Sequence, residues 1–126
     1  MKELWAGRIL VALSALFLIF DAAAHWMMPS PVVEALNRLG YPLALSPTLA
    51  IIEVICLVVY LIPRTAILGA ILLTGYLGGA VATHLRVRDP LFDTIFPILF
   101  GVLVWAGLHL RDQRLRALVP FTRPRT

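Results

Sequence analysis

Apolar residues along the chain fall into four long runs, separated by short stretches that hold most of the charged residues and prolines. The runs cover residues 4–24, 45–62, 66–85 and 91–110. Each is close to the roughly 20 apolar residues that a helix needs to cross the hydrocarbon core of a bilayer. The pattern predicts an all-α integral membrane protein, a four-helix bundle built as a single domain over residues 1–126.

The third run is rich in small residues. Gly75 and Gly79 have the spacing that lets two membrane helices approach closely. We expect them to pack the third helix inside its own bundle. The same spacing suits contact with a second copy of the chain, so a homo-oligomer stays open.

The stretch between the first two runs has an amphipathic pattern. Ser30 can cap a helix with Pro31 in its first turn, and Gly40 can end it. We therefore predict a short surface helix over residues 31–39, which lies flat on the membrane or covers the mouth of the bundle.

Composition and charge place this bundle in a membrane. Hydrophobic residues make up 60% of the chain and charged residues 14%, which excludes an ordinary soluble domain. Lysine and arginine are divided eight to three between the two sides: Lys2, Arg8, Arg64, Arg111, Arg114, Arg116, Arg123 and Arg125 against Arg38, Arg86 and Arg88. This bias predicts that both termini lie in the cytoplasm.

The basic tail over residues 111–126 is expected to face anionic membrane lipid, not nucleic acid. The first run has an alternative interpretation, because its basic start and the alanines at 22–24 are typical of a cleaved signal sequence. Cleavage would leave three spans and remove Asp21, so we predict that the segment is retained.

The chain carries none of the common cofactor motifs. Its single cysteine, Cys56, cannot form an internal disulfide or a redox pair. No flavin, haem or metal motif is present, and we predict no metal site.

Polar residues converge at the ends of the runs that the topology places on the outer side. Glu53 is expected to face the bundle interior and to pair with His25, His84 or Arg86, because a carboxylate facing lipid is unfavourable. The candidates for ligand binding or proton relay are Asp21, His25, Glu53, Tyr76, His84, Arg86 and Asp93. In the alternative interpretation they form a structural network, with Asp89 and Asp93 capping the fourth helix. No residue is assigned a catalytic role.

Three tracts carry a family resemblance. They read LIPRT at 61–65, LGAILLTGYLGG at 68–79 and ATHLR at 82–86, and the segments LGYP at 39–42, PLF at 90–92 and LRDQRLRALVP at 110–120 match in the same order. Together they resemble the bacterial DoxX-like membrane proteins over nearly the whole chain.

The resemblance implies a four-helix protein of the DoxX superfamily in the bacterial inner membrane, with both termini inside. Relatives have been tied to thiosulfate oxidation with quinone as acceptor, to oxidative-stress complexes and to assembly or cargo roles in eukaryotes. Three functions therefore remain open: a redox subunit linked to quinone and to a soluble or membrane protein partner, a non-enzymatic assembly or stress factor, and a small proton-coupled transporter or lipid-binding protein.

Overall fold

The structure is a computed structural model, and it describes residues 2–118. Six α-helices occur in this part of the chain, and it contains no strand: α1 (Lys2–Met27), α2 (Ser30–Leu39), α3 (Ser46–Leu61), α4 (Ala66–Arg86), α5 (Leu91–Arg111) and α6 (Gln113–Leu118). A single 3-10 turn, Leu43–Leu45, precedes α3. The four predicted spans correspond to α1, α3, α4 and α5.

These four helices are long and apolar enough to cross a membrane, as the sequence predicts. α1 packs against α3 and α5, and α4 packs against the same two helices, so α1 and α4 lie diagonally opposite each other. Large apolar side chains such as Leu16, Phe20 and Ile55 are exposed on the outside. Such a surface suits lipid and not water. The helical membrane bundle is therefore confirmed.

Successive spans run in opposite directions, which brings the start of α1 next to the end of α5. The two helices come close at Gly7 and Gly107. We call this end of the bundle, with both chain ends, the terminal end. The opposite end, which carries α2, is the α2 end.

The close approach between α3 and α4 occurs at Gly69, not at the predicted glycines. A Cβ atom at Gly69 would lie 2.2 Å from the Tyr60 Cα atom. A Cβ atom at Gly75 or Gly79 would meet no atom within 4 Å. The prediction that these two pack the helix inside its own bundle is therefore wrong, because that face of α4 borders open space.

The end of α2 forms as predicted, but its start does not. Gly40 has φ 80°, and the Tyr41 amide donates to the Leu36 carbonyl at 2.9 Å, which is a Schellman motif. The N-cap is Pro29, with no side-chain cap, and Ser30 is the first helical residue. Pro29 takes the cap position because a proline has no amide hydrogen to leave unpaired there.

α4 ends in the same motif, with an arginine where glycine is preferred. Arg88 has φ 57°, and the amides of Arg88 and Asp89 donate to Leu85 and His84 at 3.1 Å each. The left-handed conformation costs a residue with a Cβ atom about 1 kcal/mol. We expect Arg88→Gly to raise the unfolding free energy by about 0.5–1 kcal/mol.

The measurement is equilibrium unfolding in detergent, with Arg88→Ala as the matched control. Alanine also removes the charged side chain but keeps the Cβ atom, so it should give no gain. Equal stabilisation by the two substitutions would contradict the explanation by backbone strain.

The basic segment after α5 folds back on the terminal end. Leu115 of α6 is 3% exposed, and the Arg114 guanidinium donates to the Pro63 carbonyl at 2.6 Å. The first part of the predicted tail is therefore packed helix. Arg123 and Arg125, the last basic residues of that tail, lie outside the described residues.

Candidate functional site

A cavity of about 410 Å³ lies among the spanning helices at the α2 end. Its polar lining comes from α1, α3, α4, α5 and the chain after α2: Asp21, His25, Tyr41, Glu53, Tyr76, Thr83, His84 and Asp93. Leu36 and Leu39 of α2 line it as well. The surface helix therefore covers the mouth of the bundle, one of its two predicted positions.

Three ionisable side chains meet in the wall of this cavity. Asp21 and His25 are one turn apart on α1, and the His25 Nδ1 atom lies 2.9 Å from the Asp21 carbonyl oxygen and 3.3 Å from Asp21 Oδ2. Glu53 comes from α3. One carboxylate oxygen from each acid and one ring nitrogen of His25 all lie within 4.8 Å of one another.

Glu53 is 0% exposed, and only one of its oxygens has a partner. The Tyr76 hydroxyl donates to Glu53 Oε2 at 3.3 Å, a long hydrogen bond. Glu53 Oε1 is buried with no hydrogen-bond partner among the described residues. A buried polar atom without a partner costs about 1–3 kcal/mol, so folds keep few of them except where function needs them.

A second polar cluster fixes α2 over the cavity. Arg38 on α2 donates to both Asp89 carboxylate oxygens, at 2.9 and 3.2 Å. His84 Nδ1 donates to Asp89 Oδ2 at 2.6 Å, and the Asp89 side chain is only 3% exposed. We call Arg38, His84 and Asp89 the α2 latch. Asp89 was predicted to cap the fourth helix, which is wrong: the N-cap of α5 is Pro90, with no side-chain cap.

Two further contacts hold the same segment. The Arg86 guanidinium donates to the Leu39 carbonyl at the end of α2. The Tyr41 and Thr83 hydroxyls share a hydrogen bond of 3.2 Å. The cover over the cavity is thus attached to the end of α4 at several points.

The α2 latch should depend on pH only in strong acid. The Arg38 guanidinium and the His84 imidazole lower the pKa of the Asp89 carboxyl below its ordinary value of 3.8. Because the pKa of Asp89 is lowered in the closed state, its contacts with Arg38 and His84 stabilise that state fully above about pH 4. This stabilisation is lost as the pH falls through the lowered pKa of Asp89.

A spin label on α2 can report this change. With Glu34→Cys labelled in a Cys56→Ser background, we expect an immobile signal from pH 8 to pH 5 and a mobile one only after the pH has fallen through the lowered pKa of Asp89, below 3.8. Asp89→Asn should give the mobile signal at every pH. An immobile label in Asp89→Asn at pH 7 would contradict the role of the latch.

An apolar groove of about 730 Å³ lies on the other side of the cavity wall, between α4 and α5. Gly78, Gly101 and Trp105 line it, and the Trp105 indole donates to Thr74 Oγ1 at 2.6 Å. Leu77 and Pro97 line both the groove and the polar cavity. The two spaces therefore share one wall.

A model of the DoxX-like family matches residues 9–107, which is most of the chain. The chain belongs to the DoxX-like family. The matched region holds the cavity, the α2 latch and nearly all of the groove. Neither the comparison with curated proteins nor that with solved structures gives a match.

Most of the predicted site residues of this DoxX-like protein lie together. The cavity lining includes six of the seven: Asp21, His25, Glu53, Tyr76, His84 and Asp93. Arg86 lies outside the lining and binds the end of α2. Gly75 and Gly79 line the cavity, which explains the open space beside them.

The expected partner of Glu53 is only partly right. Glu53 lies beside His25, as predicted, and also beside Asp21. His84 instead donates to Asp89, and Arg86 to the Leu39 carbonyl. Both basic groups at the end of α4 are thus used to hold α2.

Sequence reasoning missed the aromatic wall. The Phe17 ring stacks on Phe100 at a centroid distance of 3.7 Å and meets Phe96 edge-on at 5.3 Å. Phe17 and Phe96 line the cavity. The signal in the sequence is the spacing of Phe92, Phe96 and Phe100 at intervals of four, which places them on one face of a helix.

Proposed function

We propose that this DoxX-like protein is a small membrane subunit that binds a quinone, with the ring in the polar cavity and the hydrocarbon tail in the apolar groove. The observation that carries the proposal is the wall shared through Leu77 and Pro97. The cavity, which carries polar side chains, and the apolar groove adjoin at these two residues, and one amphipathic ligand that occupies both would pass between them there. Both volumes fall within the about 300–1,000 Å³ typical of ligand pockets.

The cavity wall matches the chemistry of a quinone ring. Phe17 and Phe96 offer aromatic faces and edges for the ring. The His25 imidazole can donate a hydrogen bond to one ring carbonyl, and the Tyr76 hydroxyl can donate to the other once it releases Glu53 Oε2. A simple acyl lipid would use the groove but not the aromatic wall.

Asp21, His25 and Glu53 would supply the protons for quinone reduction. Reduction of a quinone to a quinol takes two electrons and two protons. Asp21, His25 and Glu53 are groups that exchange protons, and all three border the proposed ring position. The chain has one cysteine and no flavin or haem motif, so the two electrons would come from a redox protein partner.

The test distinguishes binding of the quinone tail in the groove from binding of the quinone ring in the cavity. Gly78 lines the groove, and a Cβ atom there would meet no atom within 4 Å, so Gly78→Leu should fill the groove without disturbing the fold. In nanodiscs, quenching of tryptophan fluorescence should show decylubiquinone binding at least about tenfold more weakly to Gly78→Leu, because several tail carbons lose their contacts. Binding of the tailless 2,3-dimethoxy-5-methylbenzoquinone should stay the same.

Ala82→Leu is the matched control for this substitution. Ala82 is also an exposed small residue of α4, but it lines neither space, so decylubiquinone binding should not change. Equal loss in the two variants, or equal loss of the tailless quinone, would contradict the proposed tail position. Absence of decylubiquinone binding to the wild type would contradict the function itself.

We also propose that the protein lies in the bacterial inner membrane with the terminal end in the cytoplasm. The eight-to-three division of lysine and arginine supports this orientation. In a Cys56→Ser background, Asn37→Cys should react with a membrane-impermeant maleimide on intact spheroplasts. Gln113→Cys should react only after the membrane is opened. The reverse pattern would place the cavity at the cytoplasmic side.

A further inference from the structure

We propose that Asp21, His25 and Glu53 bind one divalent transition-metal ion of the zinc type. This inference does not rest on quinone binding, and it departs from the sequence, which predicts no metal site. The same three side chains can serve as the proposed proton source only while no metal is bound. The three residues come from α1 and α3, and their spacing along the chain matches no metal motif. Only the packing of the two helices brings them together.

The first observation is the distance between the donor atoms. The three ligand atoms lie within 4.8 Å of one another. Zinc binds nitrogen and carboxylate oxygen at about 2.0–2.2 Å, so neighbouring ligands of one tetrahedral ion lie about 3.3–3.6 Å apart. Small rotations of the side chains can close this difference without moving either helix.

The second observation is the buried oxygen of Glu53. Oε1 has no hydrogen-bond partner among residues 2–118, although Glu53 is 0% exposed. One oxygen of the same carboxylate lies within 4.8 Å of the ligand atoms of Asp21 and His25. A metal ion gives a buried carboxylate oxygen the partner that the protein does not supply.

The third observation is charge. Two carboxylates and one imidazole share the cluster, and none of the ion pairs formed by the described residues brings an arginine or lysine to Asp21 or Glu53. The arginines at this end are used elsewhere: Arg38 pairs with Asp89, and Arg86 donates to Leu39. A divalent cation would neutralise two carboxylates within the membrane span.

Neighbouring groups hold the proposed ligands in position. The Tyr76 hydroxyl donates to Glu53 Oε2, and the Ser46 hydroxyl donates to the His25 carbonyl at 2.6 Å, joining the end of α1 to the start of α3. Such hydrogen bonds behind the ligands are a regular feature of metal sites. One imidazole with two carboxylates favours zinc or another late first-row metal over calcium or magnesium. Three protein ligands leave a coordination position open toward the cavity.

The experiment is a zinc titration of the tag-free protein in detergent, after treatment with a chelator and without any quinone. Isothermal titration calorimetry should give one zinc ion per chain with micromolar affinity or tighter. His25→Gln and Asp21→Asn should each weaken zinc binding at least about tenfold. The matched controls are His109→Gln and Asp112→Asn, which change the same residue types outside the cluster and outside the cavity and should stay within about threefold of the wild type.

A spectroscopic measurement keeps the test independent of variant folding. X-ray absorption of the zinc-loaded wild type should show one imidazole and oxygen ligands, with no sulfur. Less than one zinc ion per chain at 100 micromolar free zinc, an absorption spectrum without imidazole, or equal losses in the control variants would overturn the metal site. None of these outcomes bears on decylubiquinone binding, which is measured on the metal-free protein.

Discussion

Gly69→Ala should lower the unfolding free energy of the bundle by at least about 3 kcal/mol. The added Cβ atom would lie 2.2 Å from both the Cα and the N atom of Tyr60, so it collides with backbone. Tyr60 cannot move away at low cost, since it is 0% exposed and its hydroxyl donates to the Val104 carbonyl at 2.8 Å. The substitution must push α3 and α4 apart or break that hydrogen bond.

Gly75→Ala is the matched control, in the same helix and with the same change of side chain. A Cβ atom at Gly75 meets no atom within 4 Å, so the unfolding free energy should not fall, and the better helix propensity of alanine should raise it by up to about 1 kcal/mol. Unfolding by sodium dodecyl sulfate, followed by circular dichroism, measures both variants. A loss at Gly75 as large as that at Gly69 would restore the original prediction that this part of α4 is a packing surface.

The two glycines show how far the sequence determines this fold. Hydrophobic run lengths predict four spans because the bilayer fixes the length of a helix, and the observed ends differ from the predicted ones by at most three residues. A small-residue spacing, by contrast, only says that close approach is permitted. Which side of α4 meets α3 depends on helix rotation, which the sequence pattern does not determine when nearly every position is apolar.

The candidate site also contains residues whose positions the sequence predicts and residues whose positions it does not. Glu53 could be placed in the interior because a carboxylate is costly in lipid, and it is buried. The α2 latch could not be predicted, because Arg38 lies on the polar face of an amphipathic helix, where an arginine usually faces water. Its pairing with Asp89 depends on where α2 lies over the bundle. That position follows from the loops after α1 and before α3 and not from any local pattern.

The double variant Glu53→Leu with Tyr76→Phe should be more stable than the wild type by about 1–2 kcal/mol. Glu53 Oε1 is buried without a partner among the described residues, and the remaining oxygen receives one long hydrogen bond from Tyr76. Replacing a poorly satisfied buried polar pair by apolar side chains of similar size is often neutral or stabilising. Changing both residues avoids leaving the Tyr76 hydroxyl without an acceptor.

This gain should come with a loss of function. The double variant should lose zinc binding by at least about tenfold, and the ring of decylubiquinone would lose the Tyr76 donor and a proton source. Tyr76→Phe alone is the control, because it keeps the Glu53 carboxylate as a ligand and should lose less zinc affinity than the double variant. Unfolding by sodium dodecyl sulfate gives the stability, and calorimetry with zinc and fluorescence quenching by decylubiquinone give the binding. A double variant that is less stable than the wild type would mean that the Glu53 carboxylate already has its hydrogen-bond partners in the folded protein. Glu53 would then have a structural role, and its burial would no longer argue for a bound zinc ion or quinone.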